Sequence, residues 1–152
     1  MVDAHRYLAY IVIAGCLLAG IVGLVSYRRG RDVGGATIHL LTIATLIKLH
    51  NAYPKGRFEP QRFRPNILVD TPEGTNGFVE QSWVGKTIKV GDVRLAITGP
   101  CGRCVMTTLG QGDLPKDNGI LRTAVLQNEG NVGVYAKVVQ GGMVKRGDRV
   151  KM

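Results

Sequence analysis

From Tyr7 to Tyr27 the chain runs 21 residues without a charged side chain, dominated by Leu, Ile, Val, Ala and Gly. A helix of that length covers about 30 Å, the hydrocarbon thickness of a bilayer, whereas the apolar core of a secretory signal runs only about 7–15 residues. Arg28, Arg29 and Arg31 follow the stretch, against Arg6, Asp3 and the amino terminus before it. The bias of Lys and Arg toward the cytoplasmic side then places the C-terminal part in the cytoplasm. The pattern therefore predicts a single-pass transmembrane anchor with a basic flank over residues 1–31. A buried helix of a soluble domain is the alternative, but Gly15, Gly20 and Gly23 are better tolerated in lipid.

The pattern changes from about residue 36. Thr37 to Leu41 is a short β-rich run, and Thr42 is a plausible cap for a helix carrying Ile43, Leu46, Ile47 and His50 at helical spacing. Pro54 and Gly56 stop that helix. Asn66 to Val69 reads as a buried strand entered through Arg62, Phe63, Arg64 and Pro65. A loop over Thr71 to Gly77 leads to Phe78 and Trp83. Lys86 to Val90 and Val93 to Thr98 then form a hairpin about the turn Gly91-Asp92. Cys104 to Leu109 reads as a further strand, Ile120 to Gln127 as a helix. Val132, Val134, Ala136 and Val138 alternate on one face, before a last strand near Val150. Many short strands with two interrupting helices predict a mainly β domain with a compact, barrel-like sheet; a doubly wound α/β fold would need helices between most strands.

Composition narrows the class further. The 152 residues allow one ordinary domain, and 45% hydrophobic with 20% charged residues excludes a disordered, collagen-like or coiled-coil chain. The net charge is +9, of which residues 1–31 contribute four Arg and one Asp. The remaining sixteen Lys and Arg against ten Asp and Glu suit anionic lipid, nucleic acid or an anionic cofactor. No basic tract with interleaved aromatics accompanies them, so a nucleic-acid role is not expected. Cys16, Cys101 and Cys104 cannot build a disulfide framework, which agrees with a reducing cytoplasmic compartment.

Candidate chemistry centres on Cys101-Gly102-Arg103-Cys104. A zinc site would need two more ligands, and His5, His39, His50 and Cys16 offer no second close pair. A thioredoxin-like pair would open a helix, where the dipole favours the thiolate, yet Val105 to Thr108 has β character. Two inert buried thiols are the third reading. His39 and His50 read as structural, Trp83 and Phe78 as core or loop anchors. Arg64 and Asn66, flanking Pro65, can present forked donors to a phosphate or a pterin ring, with a surface salt bridge as the plainer role of Arg64.

Ile38-His-Leu-Leu-Thr42, Arg62-Phe-Arg-Pro-Asn66, the hairpin from Gly85 to Gly91, and Gly99-Pro-Cys-Gly-Arg-Cys-Val-Met-Thr-Thr108 occur in this order. With Gly133-Val-Tyr-Ala136 and Val144 to Val150, they resemble successive motifs of the MOSC domain, the C-terminal domain of molybdenum cofactor sulfurases. The resemblance covers about residues 36–152. It implies a β-rich, barrel-like domain in which Cys104 is either a thiolate ligand of molybdenum or the carrier of a persulfide. In the branch similar to the mitochondrial amidoxime-reducing component it implies a molybdopterin cofactor held by Arg64, Asn66, Gly102 and Arg103, with Thr42 and Thr108 as further hydroxyl donors. A soft thiolate suits the metal, and Arg and backbone amides suit the pterin phosphate. Pyridoxal phosphate belongs to a separate desulfurase domain of the larger sulfurases and is not expected here.

That branch also carries an N-terminal membrane anchor, with its catalytic domain facing the cytosol. It places a separate β-barrel domain before the MOSC domain, for which this sequence leaves no room. The implied pocket is then half-built, completed by a second chain, or part of a fragment. Three functions follow. The first is reduction of N-hydroxylated small molecules with electrons from a donor protein, with Cys104 on molybdenum. The second is sulfur transfer through a Cys104 persulfide, with Arg103 favouring the thiolate. The third is a non-catalytic, membrane-tethered partner.

Overall fold

Strand pairing in the computed structural model, which describes residues 7–10 and 37–152, closes seven strands into a barrel. The strands are β1 (Tyr7–Tyr10), β2 (Thr37–Thr42), β3 (Ile67–Asp70), β4 (Thr87–Val90), β5 (Val93–Gly102), β6 (Asn131–Gln140) and β7 (Arg149–Lys151). Around the barrel the order is β1, β3, β2, β6, β5, β4, β7, with β7 meeting β1 again. Only β2 and β3 run parallel. Among the described residues three α-helices decorate it: α1 (Ile43–Ala52), the single turn α2 (Pro60–Phe63) and α3 (Gly119–Asn128). Closure leaves no open sheet edge, the usual liability of a small β protein. The expectation of a mainly β, barrel-like domain with a few short helices holds.

Burial explains why β2 and β3 read as continuous apolar runs. Leu40, Ile67 and Val69 point into the barrel, with Ile88, Leu95, Ile97 and Val134. Leu41 and Leu68, one residue along, face outward beneath Leu46, Leu49, Phe58, Phe63 and Ile120. Successive side chains of a strand alternate faces, so a strand covered on both sides is apolar throughout. β4 and β5 alternate instead, their inward side chains buried and most of their outward ones exposed. Thr42 caps α1 as its pattern predicts, accepting from Thr45 N at 3.3 Å.

Two sequence expectations change. Val105–Thr108 is a 3-10 turn, not a strand. The β-branched residues that suggested a strand turn their hydroxyls back instead: Thr107 Oγ1 donates to Cys104 O at 3.0 Å and Thr108 Oγ1 to Val105 O at 2.7 Å. Tyr7–Tyr10, the head of the stretch expected to be a transmembrane helix, is extended and pairs with both β3 and β7. The rest of that stretch lies outside the described residues. Among the described residues, no helix is long and apolar enough to cross a membrane.

Gly133 shows how tightly β6 crosses β2. Its φ is +84°, and a Cβ there would collide with the His39 ring and Leu40 O. Gly133→Ala is expected to lower unfolding free energy by roughly 2–4 kcal/mol, from left-handed strain and overpacking. Urea unfolding of the two proteins checks this.

Candidate functional site

β5 delivers the Cys-x-x-Cys segment to one end of the barrel in extended backbone. Alternation then separates the two thiols: Cys101 is buried and Cys104 exposed, and both are free. The thioredoxin-like arrangement, with both cysteines at a helix start, is therefore not present. Cys104 keeps an extended conformation as it caps the 3-10 turn, and Arg103 N donates to Gly130 O at 2.8 Å. Burial pushes the Cys101 thiol up, against the opposing pull of the Tyr135 hydroxyl and the Arg103 cation.

Arg103 turns inward from this segment. Its guanidinium donates to Val132 O at 2.9 Å, to Phe63 O at 3.1 Å and to His39 Nδ1 at 2.9 Å, and stacks 5.7 Å from the centre of the Phe63 ring. Its Nη2 also contacts His39 Nε2. One guanidinium thus ties β5 to β2, β6 and the end of α2. The His39 ring is neutral: burial and the neighbouring Arg103 charge lower its pKa from 6.5 to about 4. A neutral ring has one acceptor nitrogen and one N–H. Nε2 also lies 3.0 Å from Val132 O, and the ring nitrogen without the proton accepts from Arg103. Desolvation lowers the Arg103 pKa while Cys101 and Cys104 oppose that shift; the group stays a cation.

The other residues expected to hold a cofactor divide into two sets. Arg64 and Gly102 are exposed, Arg64 in the left-handed conformation that ends α2 with φ 49°. The Phe63 carbonyl that Arg103 holds fixes the backbone just before it. Thr42 and Thr108 are engaged inside the protein, whereas Asn66 is exposed yet has its Oδ1 and backbone N–H engaged. Asn66 Oδ1 accepts from His39 N at 2.8 Å, and Asn66 N donates to His39 O at 2.8 Å, a clasp that starts the parallel β2–β3 pairing. Thr42 is fully buried and donates to Glu80 Oε2 at 2.6 Å. Thr108 is buried and spends its hydroxyl on the turn.

Three residues that sequence reasoning passed over support this end. Buried Arg62 donates to Arg57 O and Pro115 O at 2.8 Å, and to Thr107 O and Leu109 O at 3.3 Å, pinning the loop that follows Cys104. Glu80 is buried against the start of α1, where Thr45 Oγ1 donates to Oε1 at 2.7 Å. Burial raises the Glu80 pKa, and the bonds from Thr42 and Thr45 oppose the rise. His39 read as structural but had no visible link to Arg103. Only strand register supplies one, by placing His39 opposite Tyr135 on β6. The sole hint was compositional, a charged residue in each otherwise apolar segment.

The exposed thiol sits beside an open groove of about 530 Å³, lined by Val105 and Thr108 of the turn and Leu121, Arg122 and Val125 of α3. Among the described residues no three His, Cys, Asp or Glu gather to hold a metal ion. The donor set here is the accessible soft thiol of Cys104, three exposed positions at Arg64, Asn66 and Gly102, and the half-buried Arg103 cation. It fits a cofactor that brings most of a metal's ligands itself and takes one thiolate from the protein.

The family model described as MOSC domain matches residues 31–151. Molybdenum cofactor sulfurase 1 of Aedes aegypti is 36% identical over 76 residues, which is 49% of this chain and 9% of that protein. Mitochondrial amidoxime reducing component 2 of Rattus norvegicus is 36% identical over 72 residues, 47% of this chain and 20% of that protein. The matches thus span a fifth or less of these curated relatives. Among solved structures, the YUAD protein of Bacillus subtilis has a TM-score of 0.59 at 19% identity, covering 74% of this chain and 61% of that one. YiiM of Geobacillus stearothermophilus has a TM-score of 0.56 at 17% identity, covering 77% and 57%. At such identities these two show the fold alone.

The His39–Arg103 pair has a pH signature. An imidazole of pKa about 4 when folded and 6.5 when unfolded leaves stability full above the unfolded value. Stability is then lost as pH falls between the two, where only the unfolded chain binds the proton. The loss approaches about 3 kcal/mol. His39→Gln, which can accept from Arg103 without titrating, is expected to remove that part of the dependence in urea unfolding followed from neutral pH to about pH 4.

Proposed function

The chain belongs to the MOSC domain family, and from that membership we propose a molybdenum-cofactor function centred on Cys104. The observation that carries the reading is the split of the two cysteines, one buried and one presented to solvent on a pinned turn. Cys104 is the thiolate ligand, while Arg64 and the Gly102 backbone face the anionic part of a molybdopterin. Arg103 and Asn66 act from behind, Arg103 by fixing the segment between Cys101 and Cys104 and Asn66 by fixing the strand entrance next to Arg64. Thr42 and Thr108 hold the elements that flank the site. When bound, a molybdenum centre supplies two-electron redox chemistry, and the protein supplies the ligand, the orientation and the charge.

The reaction in this reading is reduction of an N-hydroxylated small molecule. The N–O bond breaks, the nitrogen gains one proton, and the hydroxyl takes a second and leaves as water, with two electrons supplied by a donor protein. The groove beside Val105, Leu121 and Val125 offers an apolar wall for the substrate. The matched relatives extend well beyond this segment, so a second chain or further domain completes the cofactor site. Membrane association through the N-terminal apolar stretch, with the domain on the cytoplasmic side, belongs to the same reading.

Sulfur transfer is the second reading, favoured by the exposure of Cys104 near the Arg103 cation. One preparation separates the two. Full-length protein from a host that makes the cofactor is expected to hold near-stoichiometric molybdenum and pterin, and Cys104→Ser is expected to lose at least about tenfold of the metal. Cyanide-labile sulfur that vanishes with Cys104→Ser, in protein lacking molybdenum, would favour the persulfide role.

A further inference from the structure

We propose that the end of the barrel opposite Cys104 is a docking surface for an anionic lipid leaflet. Strand directions define that end. β4 ends and β5 begins there, at the Gly91-Asp92 turn; β6 ends and β7 begins there, across residues 141–148. β1 runs antiparallel to β3 and β2 parallel to it, so the chain leaves β1 after Tyr10 and enters β2 at Thr37 toward this same end. β5 finishes at the other, carrying Cys104 beyond it.

The positive charge of the domain is concentrated here. Lys151 on β7 lies opposite Lys89 on β4, which lies opposite Arg94 on β5, a row of three cations on the uncovered outer face. All three are exposed, and neither salt bridge among the described residues involves them. Lys137 and Arg149 are exposed on the neighbouring strands, Lys145 and Arg146 in the loop between β6 and β7. Among the described residues, Asp92 and Asp148 are the acids of this end, and the Asp148 carboxylate accepts from Lys145 N at 2.7 Å. The remaining described residues carry nine Lys and Arg against seven Asp and Glu, close to balance. Like charges directly across a sheet are destabilising. A row of three with no acid between them therefore points to an anionic surface outside the molecule.

Lipid fits better than nucleic acid. Among residues 37–152 no aromatic side chain stands among these cations to stack on a base, whereas Val139 and Met143, 52% and 60% exposed, are set among them as apolar points that can enter a headgroup layer. The apolar sequence from Ile11 to Tyr27 and the basic residues Arg28, Arg29 and Arg31 lie between Tyr10 and Thr37 in the chain, and so connect to this end. Docking in this orientation turns Cys104 and its groove away from the bilayer, toward soluble substrate and partner proteins.

The test uses the full chain and sedimentation with vesicles of phosphatidylcholine alone or with about 30% phosphatidylserine, each cation near an anionic leaflet contributing roughly fivefold in partitioning. Lys89→Gln, Arg94→Gln, Lys137→Gln and Lys151→Gln together relieve like-charge repulsion and leave the core untouched. The combined variant is expected to lose at least about tenfold in binding to the anionic vesicles, and the wild-type preference for them is expected to fall with salt. A polarity-sensitive thiol dye on Met143→Cys is expected to shift to the blue on binding, and the same dye on Cys104 is expected not to, each in protein whose other accessible cysteines are Ser. Equal binding to both vesicle types by wild type, undiminished binding by the variant, or a shift at Cys104 and not at 143 would overturn the proposal. So would tighter binding to duplex DNA than to the anionic vesicles at the same salt. Cys104→Ser is expected to bind vesicles like wild type, so the docking surface and the cofactor reading stand or fall separately.

Discussion

The guanidinium of Arg103 is the joint on which the Cys104 end depends. A cation drawn partly out of water needs its donors met, and those of half-buried Arg103 are met by two carbonyls and a neutral imidazole rather than by a carboxylate. That choice fixes much else. The imidazole must stay unprotonated, so His39 must be buried beside the charge. β6 must pass close to the ring, so residue 133 must lack a Cβ. Phe63 must end its helical turn with its carbonyl aimed at β5, which leaves Arg64 in a left-handed conformation at the surface.

The same economy of acceptors recurs around the site. Arg62 is buried on four backbone carbonyls, three of them in the loop after Cys104. Buried guanidinium groups that bind only carbonyls act as struts: they hold irregular chain that has no ladder of its own, and satisfy carbonyls that would otherwise be buried without partners. The exposed Arg57–Glu59–Asp113 cluster spans the same two segments from outside, but solvent-exposed pairs of this kind contribute little. The internal strut matters more. Together with the back-bonded hydroxyls of Thr107 and Thr108, it makes Cys104 the cap of a fixed turn.

The two ends of the barrel thereby differ in kind. One carries the irregular segments, the inward-turned Arg62 and Arg103, and the accessible Cys104 thiol. The other carries tight turns and an outer face of exposed positive charge. Closure of the sheet makes this possible, because strands paired on both sides need no covering layer to protect an edge, and the outer faces of β4, β5 and β7 remain open to charged residues.

Much of this was legible in the residues themselves. Alternation over Lys86 to Thr98, the turn at Gly91-Asp92, the cap at Thr42 and the helix before Gln127 all follow from local periodicity, because each is decided by which faces water and which does not. The motif blocks identified the family and singled out Cys104. Local pattern failed where tertiary partners decide the conformation. Val105 to Thr108 has the composition of a strand but no strand beside it, and Tyr7 to Tyr10 has the composition of a membrane helix but two strands waiting to be paired. The hydrogen bonds that Asn66, Thr42 and Thr108 make within the protein were likewise not visible in the sequence, because what a polar side chain bonds depends on what the fold brings within reach. Register joined His39 to Arg103, separated the two thiols to opposite faces, and lined up Lys151, Lys89 and Arg94 from three distant segments. No spacing in the sequence contains that information, because it arises only when strands far apart in the chain become neighbours.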